Sequence, residues 1–379
     1  MTAHIRRIAI NTGGGDAPGL NAAIYSVVHA AEKAGIEVIG LREGYDGILE
    51  PQDYPEGGTV LLDRRAVRGI VSLGGTILGT TNRGNPFERP ASRPDGELYT
   101  VDRSDELLER LRELGVDALV AVGGDGSLGI AHRLAVKGLR VVGVPKTIDN
   151  DLEATVQTFG FDTAVQFATD CIDRLHSTAA SHRRILVVEV MGRYAGWIAL
   201  HSGLAGGADA ILIPEIPYDL RAVAAHLRMK PSFARAYSIV VVAEGAKPVG
   251  GALSVRGHEL GREVRLGGVG EQVARELGDL TDKETRAAVL GHIVRGGSPS
   301  STDRNLGLAL GAAAVRALLA GETNVMMAIH PPNITSVPLE SAVSRLKTVP
   351  LDGWAVTTAR ALGISFGDTL ALHTLPAKA

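Results

Sequence analysis

This chain repeatedly sets a cluster of glycines directly after a short run of β-branched residues. Ile5 to Asn11 (IRRIAIN) leads into GGGDAPG at 13–19 and then into LNAAIYSVVHAAEKAG, an apolar-periodic stretch ending at Gly35. ALVAV at 118–122 leads into GGDGS at 123–127 and a helical stretch through Lys137, and VVGV at 141–144 leads into PKTIDND at 145–151. Each unit reads as strand, tight polar loop, helix. Continuous apolar strands alternating with helices predict an α/β fold whose mainly parallel sheet is covered on both faces. Glycine makes up 47 of 379 residues, about 12% against the usual ~7%. With no fixed repeat and no Gly/Ser linker, the excess belongs to these turns.

A second series follows a helix expected from about Thr163 to Ser177: RILVVEV at 184–190, ADAILI at 208–213 and YSIVVVAEG at 237–245. The length is too great for one ordinary core, so two lobes are expected. ETRAAVLGHIVRGGSPSSTDR at 284–304, the Ala-rich helix after it and NVMMAIH at 324–330 fit either lobe by periodicity. Because parallel sheets bind ligands where strands give way to loops, the polar motifs are expected to meet in a cleft between the lobes.

Lys plus Arg number 39 against 42 for Asp plus Glu, a formal charge of -3. No global basic field draws the chain to nucleic acid or anionic lipid, so an anionic ligand needs a local cluster. No apolar stretch approaches a membrane span, and MTAHIRRIAINT lacks a signal-peptide core, so a soluble cytoplasmic protein is expected. A single cysteine, Cys171, excludes an internal disulfide and reads as a small residue in an apolar helix stripe.

In GGGDAPG the glycines let backbone amides approach a phosphate, with a helix N-terminus behind them; a tight turn would need glycine too. In GGDGS, Asp125 among such amides makes sense if Mg²⁺ bridges carboxylate and phosphate, the alternative being a helix N-cap. Gly124, Gly126 and Gly129 also fit G-x-G-x-x-G with Asp149 beyond, but Asp149 lies in a dense polar loop several residues past VVGV, which disfavours a dinucleotide. No G-x-x-x-x-G-K-[ST] occurs. PKTIDND joins Asp149 and Asp151 with Thr147 and Lys146, a set able to position a hydroxyl, accept its proton and neutralise charge in phosphoryl transfer; Asx-turn chemistry is the bland alternative. MGRYAG at 191–196 and GHIVRGGSP at 291–299 place Arg193, His292 and Arg295 beside glycines after apolar strands, suited to an anionic, hydroxyl-rich ligand.

These motifs occur together and in order: GGGDAPGLNAAI, GGTILGT at 74–80, GGDGS, PKTIDND, SHRRILVVEVMGRYAG at 181–196, AEG at 243–245 and ETRAAVLGHIVRGGSPSSTDR. On them the chain strongly resembles the 6-phosphofructokinase family over most of its length. The resemblance implies two Rossmann-like lobes: 1–160 plus 294–344 for the nucleotide, and 161–293 plus 345–379 for the sugar phosphate. It implies Mg-ATP phosphorylation of fructose 6-phosphate at its 1-hydroxyl, the committed step of glycolysis, by a homodimer or homotetramer.

By the same resemblance Gly15, Tyr45, Arg83, Gly124, Asp125, Gly126 and Ser127 hold the nucleotide, with Asp125 at Mg²⁺. Asp149 takes the hydroxyl proton, supported by Thr147, Asp151 and Arg193. Met191, Gly192, Arg193, Glu244, His292 and Arg295 form the sugar-phosphate pocket together with Thr147 and Asp149. Arg184 and Arg286 match arginines that reach across a subunit interface to the 6-phosphate, so active sites are shared. Tyr25, His29 and His176 stand where allosteric bacterial members carry effector-binding arginines. The donor-selecting pair is mixed: Gly126 is typical of ATP users and Lys146 of pyrophosphate users. A pyrophosphate-dependent phosphotransferase is therefore one alternative, and a non-catalytic sugar-phosphate sensor on the same fold is another.

Overall fold

The computed structural model describes residues 5–368 apart from 94, 230–236, 254 and 258–264; positions 369–379, expected to close the second lobe, lie outside the described residues. The chain divides into two compact units, residues up to Thr163 with Arg295–Leu346, and Ala164–Val294 with Lys347 onward.

The first unit opens with β1 (Arg7–Thr12), α1 (Leu20–Lys33), β2 (Glu37–Leu41), α2 (Asp46–Leu49), β3 (Thr59–Leu62) and the hairpin strands β4 (Arg89–Ser92) and β5 (Leu98–Val101). It continues through α3 (Ser104–Glu113), β6 (Ala118–Gly123), α4 (Asp125–Val136), β7 (Val141–Thr147) and β8 (Phe159–Gly160) to the first residues of the long helix α5 (Phe161–His182), which runs on into the second unit from Ala164. The second unit holds β9 (Ile185–Val190), α6 (Trp197–Ala205), β10 (Ala210–Leu212), α7 (Leu220–Met229), β11 (Ser238–Ala243), β12 (Val255–Gly257), β13 (Arg265–Leu266), α8 (Val269–Thr281) and β14 (Thr285–Val289). The chain then returns to the first unit with α9 (Ser301–Leu319), β15 (Val325–His330), β16 (Asn333–Pro338) and α10 (Leu339–Val343), and ends on α11 (Trp354–Ala361) in the second.

The first unit's sheet has the order β16-β15-β7-β6-β1-β2-β3. Its centre is parallel, with Ile10 opposite Val120 and Val120 opposite Val142. β1, β6 and the first half of β7 are buried along their lengths, as strands covered on both faces must be. On one face α1 and α9 pack Leu20, Ile24 and Val27 against Leu310, Ala314 and Leu318; on the other lie Leu107, Leu111, Leu128 and Leu134.

The pattern-based reading misses β2, an interior parallel strand, as well as β3 and β16, which pair antiparallel at the two edges, and the separate β4–β5 hairpin. Edge strands are short and partly polar; β16 buries no residue fully, so no apolar run marks it. β7 also runs three residues beyond VVGV, because Lys146 and Thr147 pair with Phe159 and Gly160 of β8. Asp149 therefore stands two residues past a strand end rather than several, a correction that brings it closer to the sheet. The helix expected from about Thr163 to Ser177 spans Phe161–His182, its last residues being largely exposed apart from the buried Ala179.

The second unit's main sheet, β10-β11-β9-β14, is wholly parallel. Val187, Val240 and Val242 face Val223, Leu227, Val273 and Leu277 of α7 and α8. Its edge strand β14 is only partly buried.

Candidate active site

In the first unit three loops converge at the carboxyl ends of β1, β6 and β7. The amide of Gly13 donates to Val122 O at 3.0 Å, and that of Gly14 to Thr81 O at 3.2 Å. A side chain at Gly13 would meet Ser127 Oγ at 2.7 Å, so that turn packs closely, and one at Gly15 would meet Arg295 Nη1 at 2.8 Å and displace the end of that arginine. Asp125 opens α4 as its first residue; Gly124 is the N-cap and no side chain caps the helix. The carboxylate is thus exposed and is not consumed as an N-cap.

Gly126 differs from its neighbours. A Cβ there would meet nothing within 4 Å, and its φ is outside the left-handed region. The packing of the fold therefore does not require glycine at this position.

Lys146 is 3% exposed. Its ammonium donates to Gly13 O at 2.9 Å and also to Gly15 O, tying β7 to the first glycine loop. Burial and the nearby Arg295 lower its pKa to about 8, opposed by Asp16, Asp149 and Asp151. Within the same loop Thr147 Oγ1 accepts from the amide of Asp149 at 3.0 Å, and Thr158 donates its hydroxyl to Thr147 O at 2.7 Å. Asp151 is pushed up to about 7 by burial and by Asp149 and Asp125. Its Oδ1 is buried with no hydrogen-bond partner. Three carboxylates thus crowd one edge of the glycine loops, which favours a cation or a proton among them. Among the described residues no group of three His, Cys, Asp or Glu side chains is arranged to hold a metal by itself.

Arg295 falls in this unit rather than with the sugar-pocket residues of the second; its Nη1 also donates to Asp16 O at 3.3 Å. Arg83 is exposed on the adjoining loop, its amide donating to Thr81 Oγ1 at 3.0 Å. Tyr45 is 4% exposed and packs in the apolar cluster with Leu41, Ile48 and Phe87, with its phenol pKa raised by burial. It is a wall residue rather than an open contact.

In the second unit Met191, Gly192 and Arg193 follow β9 directly, and Glu244 follows β11. The two loops are stitched by Glu244 N to Val190 O at 2.9 Å and Gly245 N to Gly192 O at 3.0 Å. A Cβ on Gly245 would lie 1.9 Å from Arg193 O, so this contact tolerates only glycine. His292 is exposed in the 3-10 turn Gly291–Arg295 after β14. These residues share the carboxyl ends of one parallel sheet. Arg184 and Arg286 do not: Arg184 immediately precedes β9, and Arg286 is the second residue of β14, opposite Leu186. Six strand residues separate Arg184 from Met191, about 20 Å at the usual rise, further than an arginine side chain reaches.

Tyr25 stacks on His29 with ring centroids 4.1 Å apart. His176 is held between Tyr237 Oη at 3.2 Å and Gly206 O at 2.6 Å. Pattern reading overlooked Glu284, which pairs with both Arg184 and Arg286, and Asp303, fully buried at the start of α9. The only sequence signal for either is a charged residue beside an apolar run. No helix among the described residues is long and apolar enough to cross a membrane.

A family model described as Phosphofructokinase matches residues 7–318. The ATP-dependent 6-phosphofructokinase of Chloroflexus aurantiacus is 49% identical over 370 residues, 98% of this chain and 100% of its own length. A Streptomyces coelicolor protein named pyrophosphate--fructose 6-phosphate 1-phosphotransferase is 48% identical over 349 residues, 90% of this chain and 96% of its own. The Pichia pastoris phosphofructokinase crystallised in the T-state superposes with a TM-score of 0.76 at 34% identity, over 90% of this chain; this chain spans 36% of that larger one. In architecture this is an α/β protein with two mainly parallel sheets and glycine-rich loops at their strand ends. By lineage, the chain belongs to the phosphofructokinase family.

Proposed function

We propose that the chain transfers the γ-phosphoryl group of ATP to the 1-hydroxyl of fructose 6-phosphate, giving fructose 1,6-bisphosphate and ADP. The observation that carries this reading is the convergence, in one unit, of the Gly13–Gly15 loop, the GGDGS turn and the Asp149 loop. A relative 49% identical over its full length bears the ATP-dependent name. The empty space over Gly126 supports the same donor, since an α-phosphate needs that room.

Asp149 accepts the proton of the 1-hydroxyl as that oxygen bonds to the γ-phosphorus and the bond to the β-phosphate bridge oxygen breaks, releasing ADP. Thr147 fixes the Asp149 turn through its hydroxyl, and Asp151 supports it. The amides of Gly15 and of Gly124 to Ser127 cradle the donor phosphates, while Lys146 holds the first of these loops in register. Asp125, with Asp151 nearby, would hold a Mg²⁺ ion brought in with ATP, which would supply charge neutralisation of the phosphoryl group. Arg193, Met191, Gly192, Glu244, His292 and Arg295 bind the sugar phosphate, and Arg193 offsets charge that builds during transfer.

Arg184 and Arg286 complete the sugar-phosphate site of another subunit. Their place at the amino ends of the sheet, away from Met191 and Glu244, supports a homodimer or homotetramer with shared sites. The same reading makes the protein a cytoplasmic enzyme. Lys146 and the Streptomyces relative at 48% identity favour pyrophosphate as the alternative donor. A coupled assay with fructose 6-phosphate, run with ATP and with pyrophosphate, decides between them. Turnover with ATP and at most a few per cent with pyrophosphate is expected, and Asp149→Asn should lower kcat at least ~10²-fold with little change in sugar affinity.

A further inference from the structure

The two arginines assigned to the 6-phosphate share one counter-ion. Glu284 Oε2 accepts from Arg184 Nε at 2.6 Å, and its Oε1 lies 2.7 Å from Arg286 Nη2. The backbone places the three together: Ile185 N donates to Glu284 O at 3.0 Å as β9 and β14 begin side by side, so Glu284 comes level with Arg184. Glu284 and Arg286, two residues apart, point to the same side of β14.

Resting on the assignment of Arg184 and Arg286 to a phosphate, we infer that Glu284 is a positioning residue that holds both guanidinium groups ready for the sugar's 6-phosphate. A carboxylate between two arginines has two possible effects on an incoming phosphate: it competes for the cations or it orients them. The contact made decides between these. Glu284 engages Arg184 through Nε, leaving the terminal Nη1/Nη2 fork, which matches two phosphate oxygens, to the ligand. On Arg286 it takes Nη2, while Nη1 donates to Thr285 O at 3.1 Å, so that side chain is fixed at two points. Long side chains that are half exposed lose substantial rotamer freedom on binding, and holding them beforehand reduces that loss. The carboxylate stays ionised for this task, since the Arg184 hydrogen bond and both arginine charges hold it below the usual range.

Steady-state kinetics of the full-length enzyme test this with Glu284→Gln, Arg184→Ala and Arg286→Ala. Glutamine keeps the shape but offers one acceptor oxygen where two are needed. It should raise the KM for fructose 6-phosphate by roughly tenfold, the loss of one charge-assisted contact, leaving kcat, the KM for ATP and the melting temperature unchanged. Glu284→Asp, which keeps the charge on a shorter arm, should fall between the two. An unchanged or lowered KM in Glu284→Gln, with raised values in both arginine variants, overturns the role of Glu284 alone. Wild-type KM in both arginine variants overturns the phosphate assignment and the inference with it.

Discussion

The ammonium of Lys146 lies 2.9 Å from the carbonyl oxygen of Gly13, so a side chain placed by its motif to meet a donor phosphate is tied instead to the backbone of the first glycine loop. A second donor goes to Gly15 O. With two of its three protons committed, Lys146 acts mainly as a clamp on the first glycine loop.

Lys146→Met should therefore raise the KM for ATP by about tenfold, a charge-assisted hydrogen bond being worth ~1.5–3 kcal/mol. Stability should move the other way with pH. Burial and Arg295 depress the folded-state pKa to about 8, below the ordinary lysine value of ~10.4. The associated stability is present above that ordinary value and is lost as pH falls through about 8. The melting temperature of Lys146→Met minus that of wild type should thus be more positive at pH 7 than at pH 10; a difference that does not change with pH refutes the assignment.

A substitution at Gly126 tests donor selection apart from folding. No neighbour lies within 4 Å of an added Cβ and the backbone is not left-handed, so Gly126→Asp should fold as well as wild type. An acidic residue in the first turn of a helix is even mildly favourable. Yet the carboxylate would fill and charge the space assigned to the α-phosphate, raising the KM for ATP by roughly tenfold or more. An unaltered melting temperature with an unaltered ATP KM would remove Gly126 from donor selection.

The order of strands and loops was readable because the central strands are buried on both faces and so carry unbroken apolar runs, as in ALVAV before GGDGS. The antiparallel edges were not, since β16 is mostly exposed and its half-buried residues, Ile334 and Val337, do not follow the two-residue period of a strand. The same contrast holds in the site. Asp149 and Gly126 stand out by residue type in a turn, whereas the Lys146 contact to carbonyls 131 and 133 residues away has no local trace. The packing of Arg295 beside Gly15, 280 residues away in the chain, likewise leaves no local trace.

Asp303 anchors the start of α5. Its Oδ2 accepts from the Thr163 amide at 2.8 Å and hydroxyl at 2.6 Å, while Oδ1 is buried without a partner. Burial outweighs these two contacts and raises the carboxyl pKa. Its stabilisation is thus full below ~4, the unfolded value, and is lost as pH rises through the raised folded value. Asp303→Asn keeps one acceptor and carries no charge, so its melting temperature should gain on wild type between pH 4 and pH 8. Asp303→Ala, which orphans the Thr163 amide, should cost about 1–3 kcal/mol throughout. Equal pH dependence of wild type and the asparagine variant in thermal unfolding would refute this.

Arg184 and Asp149 should serve one site from two different chains. Arg184 stands at the amino end of β9, while the loops assigned to the sugar follow the carboxyl ends of β9 and β11, about 20 Å away along the strand. Arg184→Ala should raise the KM for fructose 6-phosphate by one to two orders of magnitude, through loss of a contact worth ~1.5–3 kcal/mol. Asp149→Asn should be nearly inactive with normal affinity. In a mixed dimer, the Arg184→Ala chain supplies Asp149 and the Asp149→Asn chain supplies Arg184, so one site regains both groups and the other loses both. Dissociating and reassembling the two variants together should therefore create a component with wild-type KM that neither parent shows, approaching a quarter of wild-type activity for random pairing of equal amounts. If each chain built its own site, every active site in the mixture would still lack Arg184, and only the high KM would appear. Rate measurements at low fructose 6-phosphate on verified mixed oligomers distinguish the two outcomes.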